Sequence, residues 1–300
     1  MTATANAKRA RVLWAIFGVV VALAVLIIAA RWFRFSEAGA EFIGAYSGST
    51  EPPAGTPVGI APWLAWQHYL NAFCIVLIMR SGLKFRSGKR PDAFFVSRRV
   101  KPGERPRRIS IDIWLHQSID LLWFVNGVVF VVLLFVTGGW MRIVPTTWLV
   151  LPNAVSAAVQ YLSLDWPMTN GWVNYNSLQQ LAYFATVFIA APLAAISGLR
   201  LSTLWPMNPN KPWRYFTEGA AKIIHWPVMV YFVAFIVVHV GLVLSTGARR
   251  NLNHMFGAND GESWFGVVMF ALALISMVLA WFAVRASVLK PVAKLFGEVK

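Results

Sequence analysis

Six stretches of this chain, residues 13–30, 62–81, 112–137, 177–199, 223–246 and 263–285, are apolar and almost free of charge. Each is close to the ~20 residues that a helix needs to cross the hydrocarbon core of a bilayer. None alternates polar and apolar positions as a barrel strand does, which excludes an outer-membrane barrel. A chain that is 58% hydrophobic and 13% charged, with a mean hydropathy of +0.58, also lies outside the range of soluble domains. The expected class is an all-α integral membrane protein, a single domain spanning 1–300 with six transmembrane helices.

The net charge of +15 invites a nucleic-acid reading, but the charges are not spread as one. Alternate loops and termini carry 22 against 5 of the lysines and arginines. This is the positive-inside distribution, and it places both termini and the loops 82–110 and 200–222 in the cytoplasm. No nucleic acid is needed to account for it; anionic lipid suffices. Segment 80–110 holds 11 of the basic residues. It reads either as a solvated orientation signal or as a docking surface for an acidic partner subunit. The first apolar run follows Lys8, Arg9 and Arg11, is long for a signal core and lacks a small-residue cleavage site, so it reads as a retained helix. Cys74 is the single cysteine, which rules out an internal disulfide or a cysteine-ligated cluster within the chain and leaves packing as its role. Segment 138–176, interrupted by Pro145 and Pro152, suits an interfacial helix better than a seventh span.

The histidines carry the chemistry. His225 and His239 are fourteen residues apart, just under four turns, so they leave one helix face about 21 Å apart. Topology then places His68 and His239 near the outer surface and His116 and His225 near the inner one. Two imidazoles without a cysteine or carboxylate leave a tetrahedral zinc site incomplete. A haem takes one imidazole above and one below from facing helices. Bis-histidine ligation saturates the iron and favours electron transfer over oxygen binding. The competing class is a transporter with a histidine-lined proton or metal path. It calls for further carboxylates and repeat symmetry, whereas only Asp120 and Asp112 are available and the halves do not look alike. Asp120, one turn from His116, is open to three readings: a hydrogen-bond partner of that imidazole, a proton relay, or a group facing a wet cavity. His254, in an outer loop, reads as solvated or interfacial.

The histidine order on the four core spans is one, one, none, two. With the fourteen-residue spacing and the YNSLQQ entrance to the fourth span, it resembles the di-haem cytochrome b subunits of respiratory formate dehydrogenases and nickel-iron hydrogenases, over about residues 62–257. The resemblance implies a four-helix haem bundle from helices 2–5, with one flanking helix at each end. It implies two haem b groups, one ligated by His68 and His239 and the other by His116 and His225. It also implies exchange with menaquinone or ubiquinone, with Asn176 and Gln179 as candidate contacts; helix capping is their alternative role. By the same resemblance the chain anchors a catalytic or iron-sulfur oxidoreductase subunit in the bacterial cytoplasmic membrane and holds no substrate-converting site itself. A self-contained transmembrane reductase for a soluble acceptor would share the haems but need no partner. The first helix, the basic loop and the last helix fall outside the resemblance. The charge count turns the core over relative to the family, with the quinone-side haem outward and the partner side facing the cytoplasm.

Overall fold

The computed structural model describes residues 2–88, 90–98, 107–167, 170–205 and 215–300. In chain order, helix α1 spans Thr2–Arg34, α2 Glu37–Ala45, α3 Pro62–Arg86, α4 Ile111–Val136 and α5 Val150–Leu162. Helix α6, Ser177–Phe184, runs through a π-helical segment, Ala185–Ala190, into α7, Ala191–Leu201. Then follow α8, Glu218–Ser245; α9, Ala248–Leu252; α10, Phe265–Ala283; and α11, Ala286–Lys294. Strands β1, Phe94–Ser97, β2, Arg108–Ser110, and β3, Gly297–Val299, complete the set. Parts of the two basic loops, residues 89, 99–106 and 206–214, lie outside the described residues.

Five segments among the described residues are long and apolar enough to cross a membrane: Arg9–Arg34, Ile111–Val136, Ser177–Leu201, Glu218–Ser245 and Phe265–Ala283. Helix α3 matches them in length at 25 residues. Its interior, however, carries Gln67, His68, Asn71, Arg80 and Ser81, so hydropathy alone does not add it to the set. The π-helical segment has a local cause. Pro192 has no N–H to offer the carbonyl of Phe188, and its ring crowds that carbonyl, so the regular ladder cannot run through this turn.

The chain divides into two compact units, residues 1–57 with 140–184, and 58–139 with 185–300. In the first, the end of α1 is tied down by arginines: Arg31 donates to the Ser163 carbonyl at 3.0 Å and Arg34 to the Asp165 carbonyl at 2.8 Å. Helix α5 buries Val150, Asn153, Ala154, Ala157 and Gln160 on one face. Two of these residues hold the preceding loop, Asn153 accepting from the Gly48 amide at 3.0 Å and Gln160 donating to the Ser47 carbonyl at 3.0 Å. At 13 residues α5 is too short to span a bilayer.

In the second unit α3 and α4 run antiparallel. Trp63 meets Phe130 at one end, with ring centroids 6.2 Å apart, and Ser81 reaches His116 at the other. Helices α7 and α8 repeat the arrangement, with Ser197 reaching His225. Caps fix where the histidine-bearing helices start: Ser110 accepts from the Ile113 amide at 3.2 Å and Thr217 from the Ala220 amide at 3.1 Å. Helix α10 joins α3 through a hydrogen bond between Tyr69 and Ser276 at 2.9 Å. The sheet is a departure from an all-helical expectation. Strand β1 is central and pairs antiparallel with both β2 and β3, joining the basic loop to the far end of the chain. Phe95 from β1 is buried against Ile111 and Leu115 of α4 and Leu289 and Ala293 of α11.

Candidate functional site

All four candidate ligand histidines belong to the second unit, and they meet in two pairs. His116 of α4 faces His225 of α8 with ring centroids 6.4 Å apart. His68 of α3 faces His239 of α8 with centroids 6.3 Å apart. Imidazole nitrogens sit about 2.0 Å from a first-row metal, so two rings sharing one metal through their near nitrogens have centroids about 6 Å apart. Both pairs meet that requirement. Two facing imidazoles are the donor set that an iron carried in its own macrocycle takes; among the described residues no group of three or more His, Cys, Asp or Glu side chains could hold a metal ion.

The surroundings of the two pairs differ. At the His116–His225 pair, His116 Nδ1 lies 2.9 Å from Ser81 Oγ and 3.1 Å from the Ile78 carbonyl, and His225 Nδ1 lies 3.0 Å from Ser197 Oγ. The glycines after these serines leave room for the rings. A Cβ on Gly82 would stand 3.4 Å from His116 Cε1, and one on Gly198 would stand 3.3 Å from His225 Cε1. At the His68–His239 pair the walls are aromatic. Phe235 stacks on His239 at 5.4 Å, and Phe256 meets His68 edge-on at 6.0 Å. Among the described residues, buried His68 Nδ1 has no hydrogen-bond partner.

Asp120 stands beside the His116–His225 pair, its Oδ2 3.6 Å from His116 Nε2. It therefore faces the nitrogen opposite the one that Ser81 and Ile78 hold. Asn176 and Gln179 lie in the first unit and bond each other. The Asn176 amide donates to Gln179 Oε1 at 3.1 Å and the Gln179 amide to Asn176 Oδ1 at 2.9 Å, a reciprocal cap at the start of α6. Asn176 Nδ2 donates to the Tyr161 hydroxyl at 2.9 Å, and Asn176 is fully buried. His254 is not solvated: it is 5% exposed and its Nε2 lies 2.7 Å from Asp260 Oδ1. Cys74 is buried, as a packing residue would be.

Sequence reasoning did not single out Ser81 and Ser197. The available signal was the repeat of S-G-L-basic, at Ser81–Lys84 and Ser197–Arg200, once on each helix that precedes a histidine helix. Small residues are so common in membrane helices that the repeat is easily passed over.

Residues 59–258, two thirds of the chain and all four paired histidines, match the family described as prokaryotic cytochrome b561. No curated protein and no solved structure matches the chain.

Proposed function

Starting from the fact that the chain belongs to the prokaryotic cytochrome b561 family, which makes it a multi-pass membrane protein of haem b electron transfer, we propose that it is a di-haem subunit linking a partner oxidoreductase subunit to the membrane quinone pool. His68 and His239 would hold one haem b, and His116 and His225 the other. The observation that carries this reading is the paired geometry: two imidazole pairs, at 6.3 Å and 6.4 Å, with His225 and His239 in one helix. Helix α3 is the sixth crossing in this reading, because His68 must face His239 from it.

A bound haem supplies a one-electron carrier whose iron is saturated by two imidazoles. The chain does the rest. Helix α8 fixes the spacing of the two sites through its rise of 1.5 Å per residue. Phe235 and Phe256 keep water from the outer imidazoles, and Ser81 and Ser197 line the inner ones. With both imidazoles engaged, a haem held by either pair would offer no open coordination position for a ligand such as oxygen. We assign the quinone, menaquinone or ubiquinone, to the outer side, with Asn176 and Gln179 as the first positions to test. The partner, a catalytic or iron-sulfur subunit, is assigned to the cytoplasmic side, where the charge count puts the basic loop and both termini.

The test is haem content and redox spectrum of the purified full-length protein. Two haem b per chain, both reduced by a quinol, are expected. One haem per chain would overturn the di-haem reading, and none would overturn it entirely. Recovery of the chain without any oxidoreductase subunit under mild solubilisation would favour a self-contained reductase instead.

A further inference from the structure

We propose that Ser81 and Ser197 are the positioning residues of the inner haem site, each hydroxyl accepting the Nδ1–H of the imidazole on the next helix and so turning its Nε2 toward the iron. The inference rests on the di-haem reading above and assigns the residues that orient its inner ligands.

The direction of the hydrogen bonds follows from counting protons. A serine hydroxyl has one proton to give. Ser81 Oγ lies 2.9 Å from both the Leu77 and Ile78 carbonyls, and Ser197 Oγ lies 2.6 Å from the Leu193 carbonyl and 3.2 Å from that of Ala194. Carbonyls only accept, so each hydroxyl proton goes back to its own helix. What the hydroxyl oxygen offers the imidazole is a lone pair. Nδ1 of His116 and of His225 must then carry the proton, and the Ile78 carbonyl, a second acceptor 3.1 Å from His116 Nδ1, requires the same. In a neutral imidazole that leaves the Nε2 lone pair free for a metal.

The glycines make the arrangement specific. Each ring edge lies over a Ser–Gly step, where a Cβ on Gly82 would be in van der Waals contact with His116 Cε1 and one on Gly198 in a tighter contact with His225 Cε1. The same step occurs twice, on α3 before α4 and on α7 before α8. Among the described residues the outer site has no counterpart at His68, whose Nδ1 has no hydrogen-bond partner there. Donation from Nδ1–H makes an imidazole a stronger electron donor to its metal, which favours the ferric state. The serines therefore lower the potential of the inner haem alone.

The experiment compares the full-length haem-loaded protein with the double variants S81A/S197A and S81T/S197T by potentiometric titration and low-spin EPR. In the alanine variant both haems stay bound, one component moves to higher potential with altered g values, and the other does not move. The threonine variant, which keeps both hydroxyls, titrates as the wild type does. Loss of one haem from the alanine variant but not from the threonine variant also supports the assignment. Unmoved potentials, an equal shift of both components, or a threonine variant indistinguishable from alanine would overturn it. A wild-type protein without two haems would instead sink the reading on which the inference rests.

Discussion

His225 and His239 stand fourteen residues apart on α8, and each meets a histidine from a different helix, His225 facing His116 of α4 and His239 facing His68 of α3. One helix thus forms a wall of both sites, while the opposite walls are independent. Replacing His239 or His68 by alanine is expected to remove the outer haem and leave the inner one, and replacing His225 or His116 the reverse. Haem-to-protein ratios should fall from two to one in each case, with the helical content unchanged. Loss of both haems from a folded single variant would mean that the sites are not separable in this way.

Asp120 lies on the Nε2 side of His116, 3.6 Å away, and is partly exposed. A carboxylate there would act on a haem held by that pair as a charge rather than by holding Nδ1, which Ser81 and Ile78 already occupy. D120N is expected to raise the potential of the inner haem and spare the outer. An unchanged inner potential would return Asp120 to its other readings, proton relay or wet cavity.

Much of this arrangement is legible in the sequence because the signals are local. Apolar runs mark the five segments long and apolar enough to cross a membrane, while the run at 62–81 is not among them, and the rise of a helix converts the spacing of His225 and His239 into a distance. N-x-x-Q before α6 is a capping signature, and Asn176 and Gln179 do cap each other. The sheet is not legible. Its strands β1 and β3 are 4 and 3 residues long and pair residues some two hundred positions apart, without room for an alternation to show. The burial of His254 depends on Asp260 and on a fold of the loop that no spacing encodes. The serines escape notice because the contacts of Ser81 with His116 and of Ser197 with His225 join residues on different helices, which no spacing along one helix encodes.

The reciprocal cap of Asn176 and Gln179 separates structural from functional roles. Glutamate also completes such a box, whereas alanine gives up the bond to the Asn176 amide. Q179A is expected to lower unfolding free energy by about 1 kcal/mol and Q179E by much less. If Gln179 also contacts quinone, both variants should slow quinol oxidation, because Q179E loses the side-chain amide donors. Normal quinol oxidation in Q179E would assign the residue to capping alone.

Asp92, in the basic loop, hydrogen-bonds Lys84 at 2.8 Å, and that bond holds its carboxyl below the usual carboxylate range. A depressed carboxyl stabilises the fold above its unfolded pKa, near 3.9, and the contribution disappears as the pH falls through the folded value. The side chain is 50% exposed, so the pair is worth about 0.2–1 kcal/mol. The melting temperatures of D92N and wild type should differ slightly at neutral pH and converge below about pH 4. A difference that grows with acid would show that the pair does not stabilise the fold.

Phe256, whose ring meets His68, sits on the short π-helical turn Asn253–Gly257, and that turn depends on one buried side chain. Asn253 is fully buried. Its Nδ2 donates to the carbonyls of Gly261 at 3.0 Å and Ser263 at 2.6 Å, and its Oδ1 accepts from the Gly266 amide at 2.9 Å and the Ser263 hydroxyl at 3.1 Å. Cutting it to alanine strands several buried polar groups, each costing about 1–3 kcal/mol when left unsatisfied. Gly266 is the matching constraint, since a Cβ there would lie 2.5 Å from the Asn253 backbone nitrogen, and backbone cannot step aside as a flexible side chain can. N253A and G266A are therefore expected to lower thermal stability. Through Phe256 they should broaden or shift the EPR signal of the outer haem while the inner signal keeps its g values. Equal disturbance of both signals would point to general unfolding, and an unaltered outer signal would show that the loop does not shape the His68 site.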